Sequence, residues 1–369
     1  MKKGVFCVLV CLLMILTTVV PASATTLSEK ISHPLKMGKV LYVGGSGPNN
    51  YTKIQDAIND AANGDVVFVY DDSSPYFEAL QINRSISLIG EEKRTTIIDV
   101  RTIKNTSALN ISADGVVVQG FTIQNTTNAA GIFITADNVL LKENIIKNNC
   151  LGIQVGGRIN RTLYVANHII IEDNDITNNK GGISLDHGNY STISHNHISV
   201  NEEGIALQNC NSNLITLNEI TENDGAGIFL LETTNNSILQ NNITGNHDGF
   251  DLFDSSKNSI QQNNIYKNGI HNVWAFSIMF VSLRTKSRPF DNTWDGNYWG
   301  RTYQFPKPIF GFLLFLFPSL IFSGFLQPIK LLQILLTGSG GYNVVPLGLP
   351  SVKFDWHPAQ KPYNVSGMN

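Results

Sequence analysis

The sequence predicts an all-β chain: a right-handed single-stranded parallel β-helix, a three-sheet solenoid with an N-terminal capping helix. Three observations carry that prediction. First, one pattern recurs six times, led by Asn144, Asn174, Asn196, Asn218, Asn241 and Asn263. Isoleucine follows two places on (Ile146, Ile176, Ile198, Ile220, Ile243, Ile265), and a second asparagine five places on (Asn149, Asn179, Asn201, Asn223, Asn246, Asn268). Second, the copies are spaced 30, 22, 22, 23 and 22 residues apart, a period that marks a solenoid. Third, apolar residues alternate within each copy, as in Ile205 and Leu207 or Ile228 and Leu230, which is strand periodicity. A helical repeat fails, because no copy carries an apolar stripe at three-to-four spacing and Asn and Gly are poor helix formers.

Some 22 residues hold three short strands and three turns, one coil, and successive coils stack about 4.8 Å apart. Isoleucine then meets isoleucine inside. Asparagine meets asparagine at the bends, where its amide can bond the amide one coil away and it tolerates left-handed backbone. Eight or nine places after each leading asparagine, in five of the six copies, comes glycine with an apolar residue behind it, such as Gly182-Ile183 and Gly204-Ile205.

In chain order, Lys2 and Lys3, the apolar run Val5 to Val20 and Ala22-Ser23-Ala24 read as a signal peptide over 1–24. The expected location is therefore secreted or at the cell surface. Residues 25–38 form a linker, and 39–300 the β-helix, with its regular repeats at 131–268. Val40–Val43 is a first strand. Thr52 opens an amphipathic helix over 52–63, with Ile54, Ala57, Ile58 and Ala61 on one face and Gly64 ending it. A solenoid's first coil needs such a cover. Short strands follow at 66–70, 86–89, 96–99, 109–111 and 116–119. Phe121 takes the leading-asparagine slot one period early. The extra residues of the 30-residue coil, around Gly156–Asn167, predict a loop on one side. Residues 301–369 form a C-terminal cap with an apolar insert, of which 308–336 is a candidate membrane-associated segment. Pro318 and Pro328 within it argue for a cap or surface hairpin over a crossing.

Charged residues are 15% of the chain and the net charge is −3. No basic patch exists, which argues against a nucleic-acid partner. Beyond the leader only Cys150 and Cys210 remain, at different places in their repeats, so no disulfide is expected.

A residue beside an inward isoleucine points outward. On that logic Asp173, Asp175, His195, His197 and Glu219 form one surface cluster over three coils. They are the candidate acid–base residues. Asp173, Asp175, His195 and His197 are also candidate ligands for a divalent metal, calcium or copper. A second outward column follows the glycines: Phe133, Gln154, Asp186, Gln208, Phe229, Asp251 and Phe253. Aromatic and polar residues mixed on a flat sheet suit carbohydrate, whose C–H faces stack on rings while its hydroxyls bond. No Gly-x-Ser-x-Gly elbow and no His-Glu-x-x-His motif is present.

Several stretches carry a family resemblance. They are Tyr51-Thr52-Lys53-Ile54-Gln55-Asp56-Ala57-Ile58 with Gly64-Asp65-Val66, then Ile86–Gly90, Thr96–Asp99, Gly120–Ile123 and the Asn-x-Ile repeats. Together they resemble the pectin-lyase-like right-handed parallel β-helix proteins, and most of all the branch of the NosD-type periplasmic copper-binding protein, with its carbohydrate-binding and sugar-hydrolase repeats. Asn297–Gly300 and Phe354–Pro358 resemble the ending of exported archaeal members. The scaffold is complete and carries no recognisable active site. The expected function is therefore that of an exported surface protein that binds polysaccharide or forms part of the envelope without catalysis, with a polysaccharide or cell-envelope glycan as its partner. The alternatives are a polysaccharide lyase, epimerase or hydrolase, and a copper accessory protein. Asp186-His187 is the nearest fragment to the epimerases' Asp-Pro-His-Glu motif and lacks its Pro and Glu.

Overall fold

The computed structural model describes residues 38–159, 161–269, 271–280, 291–301, 307–317 and 345–365. The predicted signal peptide and residues 25–37 of the predicted linker lie outside them. So does 318–336 of the candidate membrane segment. Among the described residues, no helix is long and apolar enough to cross a membrane.

Short strands run in parallel through three sheets, which contain 11, 8 and 12 strands among the described residues. We call these sheets A, B and C. One coil shows the plan: Thr192–Ser194 lies in sheet A, His197–Ser199 in sheet B and Glu203–Gln208 in sheet C. The chain is a right-handed parallel β-helix, the hand a right-twisted strand favours when it returns to its own sheet. Inside, Ile146, Ile176, Ile198, Ile220, Ile243 and Ile265 are paired in register along sheet B. All six are fully buried, and each such side chain contributes roughly 1.5–3 kcal/mol.

The corners explain the asparagines. Asn196 Oδ1 accepts the backbone N–H and the amide of Asn174, both at 3.0 Å. Its own amide donates to the Ile171 and Ser194 carbonyls and to Asn218 Oδ1. The same links run from Asn144 to Asn297 at the A–B corner, and from Asn149 to Asn268 at the B–C corner. Left-handed backbone falls elsewhere than the sequence suggests. It is the residue before each asparagine of the A–B and B–C ladders that has positive φ, including Asp173, His195, Val200 and Leu217. The repeated glycine answers a close approach: a Cβ on Gly204 would lie 2.4 Å from the Gly227 carbonyl oxygen and 2.8 Å from Ile220 Cγ2.

The helix spans Ile54–Asp60, shorter at both ends than 52–63. Thr52 does not cap it. The first turn is instead met by Glu78, whose two carboxylate oxygens accept the N–H groups of Ile54 and Gln55 at 2.9 and 3.0 Å. Ala61 is already extended, so the helix stops before Gly64. Ile54, Ala57 and Ile58 join the same core as Val43 and Val67.

At the other end, Lys307–Phe317 pairs in parallel with His271–Phe280, and Val345–Asp355 returns antiparallel to it. Asp355, fully buried, accepts from the Asn297 backbone and side-chain N–H groups and from Trp299 Nε1. A carboxylate thus terminates the A–B ladder. Tyr363 closes the tail by exchanging bonds with the Asn264 side chain.

Candidate functional site

Sheet B brings together only part of the predicted acid–base cluster. Asp175, His197 and Glu219 are direct neighbours in register on its outer face. His197 Nδ1 lies 3.1 Å from Asp175 Oδ1. That hydrogen bond holds the imidazole pKa above its usual value, against partial burial, with the Asp175 charge adding to it. Asp173 and His195 sit instead at the corner before the strand, in left-handed backbone. Asp173 leans toward sheet A, where Lys142 Nζ is 3.6 Å from it and 3.2 Å from Glu172. Among the described residues no three His, Cys, Asp or Glu side chains gather in a way that could hold a metal ion. Asp173, Asp175, His195 and His197 are not gathered into such a group.

The second predicted column resolves into two rows on sheet C. Phe133, Gln154, Ser184, Ala206, Phe229 and Asp251 share one row. Asp186, Gln208, Leu231 and Phe253 share the next, two residues further along each strand. Gln208 thus stands beside Asp186, and Ala206 takes the place read for it in the Phe229 row. Phe133 is 9% exposed, its ring meeting Tyr164 edge-on at 6.2 Å. It is withdrawn from the surface because Tyr164 belongs to the predicted loop, a hairpin in which Thr162–Tyr164 folds back on Leu151–Ile159. This hairpin rises beside sheet C. Next to it, Asp186 Oδ1 bonds His187 Nδ1 at 2.6 Å.

Four coils along from Gln154, one chemical feature stands out. The half-buried rings of Phe229 and Phe253 lie 5.6 Å apart. Asp251, in the Phe229 row, has one carboxylate oxygen buried with no hydrogen-bond partner among the described residues. Burial first, then the charges of Asp248 and Glu203, push its carboxyl up to about 6, against the opposing pull of His271 and His247. Asp248 accepts from His247 Nδ1 and His271 Nδ1, each at 3.0 Å. A carboxyl that holds its proton up to about pH 6 can donate it in mildly acidic solution, and the aromatic pair beside it offers an apolar face. In the sequence His247 and Asp248 are simply adjacent residues. The signal for the cluster was the strand register, which aligns Asp248 with His271 and Asp251 with Phe229.

The geometry defines the class: the chain has the pectin-lyase-like right-handed β-helix fold. The family described as right handed beta helix region matches residues 161–284. No curated protein matches the sequence. Among solved structures, the chain is similar to the complex of XylC with xylose, with a TM-score of 0.56 and 12% identity over 65% of this chain and 69% of that one. It is also similar to the GH136 lacto-N-biosidase of Eubacterium ramulus, with a TM-score of 0.52 and 13% identity over 71% of this chain. The match spans 64% of the biosidase, less than two thirds of its length. At such identities the likeness is one of fold.

Proposed function

We propose that this protein binds polysaccharide along the outer face of sheet C and works outside the cytoplasm without catalysis. The observation that carries the reading is the Phe229–Phe253 pair set among Asp251, Gln208 and Asp186 on a flat sheet. Rings take sugar C–H faces and the polar side chains take hydroxyls. Strands about 4.8 Å apart let an extended polymer meet several coils. The sugar partners named for the XylC and lacto-N-biosidase structures support a glycan partner. The leader-like residues at 1–24 and the endings Asn297–Gly300 and Phe354–Pro358 support export, and Tyr51–Ile58 with Gly64-Asp65-Val66 support the NosD-type branch.

The test is affinity electrophoresis through gels cast with a panel of neutral and acidic polysaccharides. At least one polymer should retard the protein, and Phe229→Ala/Phe253→Ala should abolish most of that retardation. Equal mobility of parent and variant in every gel would end the proposal.

Asp251 favours a second reading, glycan cleavage or modification with Asp251 as proton donor. Here the retarding polymer should yield new reducing or unsaturated ends, and Asp251→Asn should stop it. A polymer that binds and stays intact leaves binding alone.

A further inference from the structure

A separate cleft lies at the N-terminal edge of sheet A. Tyr42 on the first strand is in register with Phe68 on the next, and Tyr70 follows two places later. The Tyr42 and Tyr70 rings stack with centroids 6.0 Å apart, and Phe68 meets them edge-on at 6.1 and 5.1 Å. Tyr42 keeps 42% of its surface exposed. These outward rings form an apolar ledge. Tyr42 and Tyr70 line a cleft of 590 Å³, inside the roughly 300–1,000 Å³ of small-ligand sites.

The rest of the lining is a loop from Gly45 to Asn50 and three carboxylates, Asp71, Asp72 and Glu91. The loop is fixed in advance. Gly45 N–H donates to Asp72 Oδ1 at 2.9 Å, and Gly44 N–H to the Tyr51 carbonyl at 2.8 Å. Gly45 has φ +69°, and a Cβ there would lie 2.7 Å from Tyr70 Cδ2, so the backbone sits directly on the ring. Such pre-ordering lowers the entropic cost of binding.

The chemistry of the lining selects its ligand. No Lys or Arg contributes, so a uronate, sulfate or phosphate would meet like charge. Each carboxylate is tied down through one oxygen: Asp72 by Gly45, Asp71 by the Thr95 hydroxyl at 2.6 Å, Glu91 by the Asp71 N–H at 3.1 Å. The second oxygen of each is an acceptor held in place. Acceptors around an aromatic ledge fit a ligand with an apolar face and a rim of O–H donors.

We propose that this cleft binds a neutral sugar residue, laid on Tyr42 and Tyr70 with hydroxyls donating to Asp71, Asp72 and Glu91. The proposal is independent of the sheet C reading. Its test therefore uses the full chain in a Phe229→Ala/Phe253→Ala background. Cellotriose, maltotriose and mannotriose are the neutral probes, trigalacturonate the acidic one and tetramethylammonium the cationic one. Binding is read by saturation-transfer NMR and titration calorimetry.

At least one neutral trisaccharide should bind. Tyr42→Ala should weaken it tenfold or more, Tyr42→Phe should keep it, and Glu91→Gln should weaken it several-fold. Trigalacturonate should not bind. Near-ultraviolet circular dichroism checks that each variant is folded. Three results would overturn the proposal: no binding by any neutral probe, binding indifferent to Tyr42→Ala, or binding of tetramethylammonium alone, which would make the cleft a cation site.

Discussion

Asp251 shows what a functional position costs a fold. Its carboxyl is pushed up to about 6, above the free value of about 3.9, so the folded chain keeps a proton that the unfolded chain releases. Stability from this group therefore falls as pH rises from about 4 to about 6 and stays low above that. Asp251→Asn should be stabilising by about 1–2 kcal/mol at pH 8, solvent screening of this part-exposed carboxyl taking up some of the shift, with the gain closing near pH 4. Urea unfolding at the two pH values measures it. Val200 makes a different sacrifice. It is β-branched, 48% exposed and held at φ +56°, where an L side chain costs roughly 1–2 kcal/mol. Val200→Asn should raise the urea midpoint by the equivalent of about 1 kcal/mol. Neither feature was legible as a strain in the sequence. The sequence places Asp251 outward, as the register does, and carries no sign of its partial burial.

At the level of the element, the asparagine corner decides stability. Asn218 Oδ1 accepts two bonds from Asn196, and its amide donates to the Ile193 and Thr216 carbonyls. Asn218→Ala strands those groups in a dry corner, and each unsatisfied group costs roughly 1–3 kcal/mol. A loss of about 3–5 kcal/mol is expected, seen as a large fall in the urea midpoint. Two of the ladders could be read from the Asn-x-Ile spacing. A third could not. Asn213, Asn236, Asn258 and Asn292 link the C–A corner in the same way, but the row begins with Ser191 and its last step spans 34 residues. Sheet C was misread for a related reason. Two outward positions per strand look alike in sequence, and only register separates the Phe229 row from the Gln208 row.

Across the whole molecule, the repeats were legible because one spacing of 22 or 23 residues recurs between partners. The ends were not, because their partners belong to no repeat: Glu78 for the helix, Asp355 for the ladder. Solenoid stability is close to a sum of coil and interface terms, so damage should stay local. Asp355→Ala removes the acceptor for Asn297 and Trp299. Hydrogen exchange should speed up at Ser259–Gln261 and Thr293–Asp295, while amides of Thr192–Ser199 keep their protection. Equal acceleration in the two regions would contradict this. The ladders also bear on how long such a molecule can be. Every interior asparagine receives from the preceding coil the same bonds it passes to the next, so an interior unit can be excised without leaving a mismatched seam. Deleting 196–217 would bring Asn174 against Asn218 and shorten the rod by about 4.8 Å. Its overall reach can thus be lengthened or trimmed in whole steps, with the two ends left as they are.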